Sequence, residues 1–328
     1  MAELSVAPYR ADDADEWNAF VAASRNGTFL FDRRYMDYHA DRFADASLIF
    51  RDGGRIVALL PANRVDDRLV SHGGLTYGGL VVGADAGMKT MAQVLAALLA
   101  HMEAEGLATL VYKAIPSIYH RAPAEEDLYG LFRLGARLVR RDLLTVVPPR
   151  GAAEISHGRR YVLKKLAKRD DVAVAASDDW AAFWDVLTAR LEGRYAVRPT
   201  HTLDEIRLLA GRFPQAIRLL AGSLDGRLCA GLVLYETPTV IHAQYMAADD
   251  EARRVGVLDA IVERAVAEAA AAGKWFDFGT STEDAGRFLN EGLAAYKESF
   301  GGRAVAQDFY ELGPVAGAAG RLANVRPD

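Results

Sequence analysis

The stretch VIHAQYMAADDEARRVGVLDAIVERAVAEAAAAG, residues 240–273, decides the fold, because it reads as a strand, a turn and a long helix in succession. Val240–Ala247 is the strand. His242, Gln244 and Met246 alternate on one of its faces and Tyr245 takes the other, since successive side chains on a strand point to opposite sides. Glu251–Gly256 is the turn. From Val257 onward, Val257, Leu258, Ile261, Val262, Ala265 and Val266 recur with the helical period, while Glu263 and Arg264 take the opposite face. That pattern predicts a helix over Val257–Ala272, stopped by Gly273. The first amides of such a helix have no partner within it, and its dipole favours an anion there. Gly256 would let a ligand approach the backbone, and Arg253 or Arg254 could add charge-assisted bonds to phosphate. A solvated, charged loop with a glycine for geometry explains the same residues equally well.

The same order of parts occurs twice along the chain. In the first half, Leu4–Tyr9 reads as a strand, and Asp13–Ala23 and Arg33–Arg42 as helices. Ser47–Arg51 and Arg55–Leu60 flank Asp52-Gly53-Gly54, a hairpin signal. A glycine-rich strand and loop (Leu69–Val82) follow, then a helix (Met88–Glu105), a strand (Leu107–Lys113), a helix near Glu125–Leu138 and a strand (Arg141–Val147). In the second half, Val172–Ala176 is a strand, and Asp179–Glu192 and Leu203–Phe213 are helices. Ile217–Ser223 and Arg227–Tyr235 flank the turn Leu224-Asp225-Gly226. After residues 240–273 come a strand (Trp275–Gly279), a helix near Ala285–Lys297 and a last strand (Ala304–Leu312). Pro148-Pro149-Arg150-Gly151 links the halves. The expected fold class is therefore α/β with mixed sheets, built as two copies of one unit, residues 1–150 and 151–328.

Bulk properties narrow the function. The chain has 328 residues, 51% hydrophobic and 25% charged, with a net charge of -5, so nothing global draws it to nucleic acid or an anionic membrane. Its single cysteine, Cys229, sits in the apolar run Leu228–Leu234 and reads as a small core residue. With no disulfide possible within the chain, a reducing compartment, the cytoplasm, is expected. Met1–Arg10 carries Glu3 and no long apolar run, so no signal peptide is expected, and no window reaches the length of a membrane span. The seven histidines are scattered and the cysteine is single, so no metal site is expected. No GxSxG elbow and no Walker A sequence is present.

The run of strand, Arg-Arg-x-Gly-x, helix, strand and helix resembles the acyl-CoA-binding core of the GNAT superfamily of N-acyltransferases. Three later words, Phe276-Asp277-Phe278-Gly279-Thr280-Ser281-Thr282-Glu283, Leu289-Asn290-Glu291-Gly292-Leu293 and Tyr296-Lys297-Glu298-Ser299-Phe300-Gly301, resemble its FemAB-like branch, in which two GNAT units share one chain. Asn26-Gly27-Thr28-Phe29-Leu30-Phe31-Asp32, Ser71-His72-Gly73-Gly74-Leu75-Thr76-Tyr77-Gly78-Gly79 and Tyr112-Lys113-Ala114-Ile115-Pro116-Ser117-Ile118-Tyr119-His120 look like the tandem-GNAT sugar N-acyltransferases, which act on nucleotide-linked amino sugars of cell-surface glycans. The resemblance covers most of the chain. It implies acyl-CoA as co-substrate, of the acetyl-CoA or 3-hydroxybutyryl-CoA kind, and no metal. The implied partner is a nucleotide-linked amino sugar, such as a dTDP-amino sugar of O-antigen biosynthesis, with no nucleic acid.

The resemblance also implies site residues. On the donor side the pyrophosphate would lie on Arg253, Arg254, Gly256 and Val257. Gln244, Tyr245 and Met246 would line the acyl site, where a strand splayed from its neighbour offers free amides to the thioester carbonyl. Asn290 belongs to the same pattern. Lys297 would face the reaction centre; on spacing alone it shares the face of Leu289 and Leu293 and could equally snorkel. A tyrosine on this helix often protonates the leaving thiolate, and Tyr296 is the one available, although its spacing from Asn290 departs from the pattern by one residue. Asp277 ends an apolar strand, a common place for ligand contacts, and is a candidate catalytic base. Glu283 is a catalytic candidate or part of the cap of the following helix. His242 is expected to be structural. His72, Tyr77, Lys113, Tyr119 and His120 form the expected acceptor cluster, with His72 also a candidate base, and the glycines around them suit either close ligand approach or simple turns. The basic run Arg159, Arg160, Lys164, Lys165, Lys168 and Arg169 reads as a solvated helix face or as a contact for an acceptor diphosphate.

The reaction so implied is direct attack of a neutral amine on the thioester. Amines titrating near ~8 are already partly neutral at pH 7, so a weak base suffices. Two rivals use the same double fold: an aminoacyl-tRNA-dependent peptidyltransferase acting on a cell-wall precursor, and a non-catalytic binding protein. The first predicts activity with charged tRNA, the second binding without thiol release.

Overall fold

The computed structural model describes residues 4–151, 153–195, 197–315 and 317–322, so Met1–Glu3 of the stretch read for a signal peptide lie outside it. The chain divides into two compact units, residues 1–142 with 306–328, and residues 143–305. The sequence predicts a single boundary at residue 150. The unit boundaries instead fall inside two strands, Arg137–Val147 and Arg303–Leu312.

In the first unit, Leu4–Pro8, Leu48–Asp52, Arg55–Leu60 and Val81–Val82 form an antiparallel sheet in that order. Arg68–Val70 runs parallel to Thr109–Lys113, which pairs antiparallel with Phe309–Leu312. The helix Met88–Ala104 buries Met91, Val94, Leu95, Leu98 and Met102 against Leu48, Phe50, Leu60 and Leu110. At ~1.5–3 kcal/mol per buried apolar side chain, this face holds the helix far better than its own propensity could. Two elements end earlier than expected. The helix begun at Arg33 stops at Met36 and tightens into a 3-10 turn over Asp37–His39. The helix Glu126–Leu134 stops at Gly135, at φ 78, and the following strand begins at Arg137. The region expected as one glycine-rich strand holds only the short strands Arg68–Val70 and Val81–Val82.

The second unit is a meander, Val172–Ser177, Ile217–Leu224, Arg227–Glu236 and Val240–Ala248, all antiparallel. It continues through Trp275–Thr280, parallel to Val240–Ala248, and Leu144–Val147, antiparallel to it. The helix Val257–Ala271 lays Val257, Ile261, Val262, Ala265 and Ala269 on Leu220, Leu232, Leu234 and Ile241. The approach is close because of Gly222: a Cβ there would lie 2.5 Å from Val257 and 2.9 Å from Ile261. Cys229 is fully buried in this core, and burial pushes its thiol up to about 11, so it is no nucleophile.

Three local expectations are corrected in this unit. Asp250–Val255 is a short helix, not a turn. Asp249 caps it by accepting from the Ala252 amide at 2.8 Å, and Gly256, at φ 96, ends it and starts the next helix. The last helix runs over Glu291–Glu298, not from Ala285. Asp284, Ala285 and Gly286 take left-handed φ values of 47, 50 and 83, which no helix allows, and they turn the small hairpin Thr282–Glu283 with Phe288–Leu289. Finally, the strand Val240–Ala248 does not alternate throughout. Val233 pairs with Tyr245 and Leu234 with Ala243, so Gln244 is a bulged extra residue. His242 and Tyr245 therefore share one face, while Ala243 and Met246 pack into the core on the other.

Candidate active site

The second unit opens where two parallel strands part. Val240 pairs with Trp275, Ile241 with Phe276 and His242 with Asp277, and the ladder ends there. Both strands supply a cause. One bulges at Gln244, and the other is turned by Gly279, at φ 73, with a register shift between Asp277 and Thr280. Beyond His242, among the described residues, the strand has no partner on that side, so its backbone groups face an open edge. The buried Oε1 of Gln244 has no hydrogen-bond partner. An orphaned acceptor beside an open strand edge suits a ligand that carries amide N–H groups.

Three titratable side chains gather at the parting point. Asp277, 1% exposed, uses both oxygens: Oδ1 accepts from the Gly279 amide at 2.7 Å, and Oδ2 accepts from Nδ1 of His242 at 3.0 Å. A carboxylate can only accept, so Nδ1 of His242 donates to it, and Nε2 is the ring nitrogen left without a protein partner among the described residues. Lys297, 2% exposed, donates from Nζ to the carbonyls of Gly279 at 2.9 Å and Thr280 at 2.6 Å. Burial lowers its pKa to about 8, against the opposing pull of Asp277. Lys297 therefore fastens the turned end of the strand that carries Asp277. Lys297 and Asp277 stand out in the sequence as site candidates, whereas His242 reads there as structural. Its partner is 35 residues away and is fixed by a parallel register that spacing alone does not reveal.

The expected donor residues are divided. Tyr245 is held on the His242 face by Trp184, with ring centroids 5.3 Å apart, and by the His201 amide, which donates to its hydroxyl at 3.2 Å. Arg253 and Arg254 are exposed on the short helix, and each contacts Asp250. Val257 is fully buried. Gly256 is covered by the helix His157–Leu166: a Cβ on Gly256 would lie 2.7 Å from Val162 and 3.4 Å from Leu166. Beside it sits Asp259, ion-paired to Arg159 and accepting from the Tyr296 hydroxyl at 3.2 Å. Arg159 also lies over the rings of Tyr296 at 4.8 Å and Phe300 at 4.6 Å, and donates to Ser299 at 3.1 Å. One residue of the basic run thus points inward, while Arg160, Lys164, Lys165 and Lys168 stay exposed. The hydroxyl of Tyr296 is spent on Asp259 and not on the His242–Asp277 pair. Burial, then the Asp259 charge, raises its pKa far above that of a free phenol. The end expected to hold a pyrophosphate is filled by the chain's own side chains, whereas at the splayed end the strand has no ladder partner among the described residues.

Asn290 caps the helix Glu291–Glu298 by accepting from the Leu293 amide at 3.0 Å, and its Nδ2 donates to Glu283 at 2.9 Å. Glu283 and Asn290 thus brace one another across the small hairpin, next to the helix cap.

In the first unit, Tyr77 and Tyr119 are both buried with ring centroids 4.3 Å apart, and the Tyr77 hydroxyl donates to Thr28 at 3.0 Å. Lys113 donates to the Leu75 carbonyl of the glycine-rich loop, and burial lowers its pKa to about 8. His72, at φ 56, stacks on His39 with centroids 5.2 Å apart. Burial, then His39, pushes its pKa down to about 3, so it stays neutral and is a weak base. His120 is likewise pushed down, to about 4, by burial. Among the described residues no group of three or more His, Cys, Asp or Glu is placed to hold a metal ion, and no helix is long and apolar enough to cross a membrane.

Residues 156–298 match the family described as Acetyltransferase (GNAT) domain. FemX superposes with a TM-score of 0.67 at 11% identity, over 95% of this chain and 97% of that one. The C-terminal domain of a putative lysylphosphatidylglycerol synthetase from Agrobacterium fabrum gives 0.60 at 15% identity, covering 95% and 94%. A tandem GNAT protein from the clavulanic acid biosynthesis pathway gives 0.51 at 16%, covering 96% and 99%. At these identities the likeness is one of fold. No curated protein matches the chain by sequence. Residues 156–298 thus carry the match to a GNAT acetyltransferase domain, and the chain as a whole shares the fold of tandem GNAT proteins.

Proposed function

We propose that the chain transfers an acyl group from acyl-CoA, of the acetyl-CoA or 3-hydroxybutyryl-CoA kind, to the amine of a nucleotide-linked amino sugar in the cytoplasm. A dTDP-linked 3-amino-3,6-dideoxygalactose is the first acceptor to try. The observation that carries the reading is the parting of the strands after His242 and Asp277, with the open edge and the orphaned Oε1 of Gln244 beside it. An acyl donor laid along that edge meets backbone amides able to stabilise the oxyanion that forms on attack. The amine attacks the carbonyl carbon, and the tetrahedral adduct collapses with the thiolate as leaving group. No enzyme-bound acyl group is required, since Cys229 is sealed in the core. The test is thiol release from a panel of acyl-CoAs in the presence of dTDP-, UDP- and GDP-amino sugars. Release that depends on one of the amino sugars supports the reading, and silence across the panel removes it.

A second reading has one specific observation in its favour. The Gly256 end is closed by Val162, Leu166 and the Arg159–Asp259 pair, which suits a donor without a pyrophosphate at that point, such as an aminoacyl ester of tRNA. The same assay run with charged tRNA, following aminoacyl transfer to a cell-wall peptide, separates the two.

A further inference from the structure

The acyltransfer reading leaves open where the amine proton goes. We infer that Nε2 of His242 takes the proton of the attacking amine and that Asp277 is the residue that positions it. This inference rests on the acyltransferase reading above.

His242 occupies the last rung before the strands part, the point nearest the open edge. Its ring is held from below by the hydrogen bond to Asp277. Nε2 has no protein hydrogen bond among the described residues, yet it is not one of the sealed, unpartnered atoms: the side chain keeps 10% of its surface. A ring nitrogen that is fixed, lone-paired and reachable is what a proton acceptor needs. Asp277 is a poor acceptor by comparison. It is 1% exposed, and both of its oxygens already accept hydrogen bonds. The other groups around the ring are Tyr235, directly cross-strand, and Lys297, whose ammonium acts on Asp277. Tyr245 and its partner His201 lie further along the same face.

The step balances without any further reactant. The amine lone pair forms the C–N bond as the carbonyl π pair moves to oxygen, and the N–H proton passes to Nε2. Collapse breaks the bond from carbon to the leaving atom, whose electron pair departs with it. The imidazolium then returns the proton to that thiolate or alkoxide.

The test uses the full chain with two pairs of probes: acetyl-CoA as thioester donor with dTDP-3-amino-3,6-dideoxygalactose as acceptor, and charged tRNA as oxoester donor with a cell-wall peptide as acceptor. H242Q should lose at least ~100-fold in kcat, with KM within a few fold, and should lose the acidic limb of the pH–rate profile. D277N should keep that limb but show reduced kcat, because the ring loses its fixed tautomer. Imidazole added to H242A should restore part of the rate, which a merely structural role would not allow. An active wild type whose H242Q variant folds and retains the acidic limb overturns this role alone. A wild type silent with every donor overturns the acyltransfer reading and this role with it.

Discussion

The guanidinium of Arg159 pairs with the carboxylate of Asp259 beside Gly256, tying the helix His157–Leu166 to the first turn of the helix Val257–Ala271. Both side chains are mostly buried, and Asp259 also accepts from Tyr296. Removing Arg159 leaves a carboxylate in low dielectric without its cation. The R159M variant is expected to lose about 3 kcal/mol of stability, read by urea melts at pH 8. Burial already raises the Asp259 pKa against the pull of Arg159. Without the arginine it rises further, so the folded state binds a proton that the unfolded chain releases. The deficit of R159M should therefore shrink as pH falls toward the acid range.

Lys297 gives a second pH signature of opposite origin. Its pKa is about 8 in the folded chain, against 10.5 for a free lysine. Between those values the unfolded chain binds more protons, so the contribution of this site to stability rises with pH, by about 3 kcal/mol across the window. Lys113 adds a term of the same sign. K297M is expected to remove about half of the alkaline slope that the two lysines give together in melts from pH 7 to 10.5. It should also lower turnover, since nothing then fastens the Gly279 and Thr280 carbonyls.

How far such residues can be read without a structure depends on what fixes them. The helix Val257–Ala271 is legible because its apolar period runs four turns, and its observed end falls one residue short of the expected one. The helix Asp250–Val255 is not, although its signals are present: a capping Asp249, acids first, and arginines last. It is too short for a period to show. Ala285 at φ 50 is beyond any propensity argument, and it alone defeats a helix from that residue. Lys297 and Asp277 stand out as a charge on an apolar face and at a strand end. His242 gains its meaning only from a parallel register, and Arg159 from a helix packing that carries one member of a basic run inward.

Gly279 should be sensitive to a single methyl group. Its φ of 73 lies in the left-handed region, where an L side chain costs about 1–2 kcal/mol. The new Cβ would sit 3.4 Å from Cε1 of His242, in contact but not in collision. G279A is thus expected to fold, to melt at a lower temperature consistent with that cost, and to lose turnover as the strand end and the ring readjust. A variant with wild-type turnover would show that the geometry of this turn does not matter to the reaction.

Val162 provides the sharpest measure of which donor the chain uses. Its Cγ1 would lie 2.7 Å from a Cβ on Gly256, so this methyl group occupies the space where a phosphate would approach the glycine. V162A opens that space at a packing cost of about 1–2 kcal/mol. If acyl-CoA is the donor and its pyrophosphate uses this end, the variant should bind it more tightly, with a lower KM and an unchanged kcat, because the gain is made equally in ground and transition states. If the donor is an aminoacyl ester whose phosphates lie elsewhere, KM should stay put or rise with the loosened packing. The direction of that single change distinguishes a closed door from a wall.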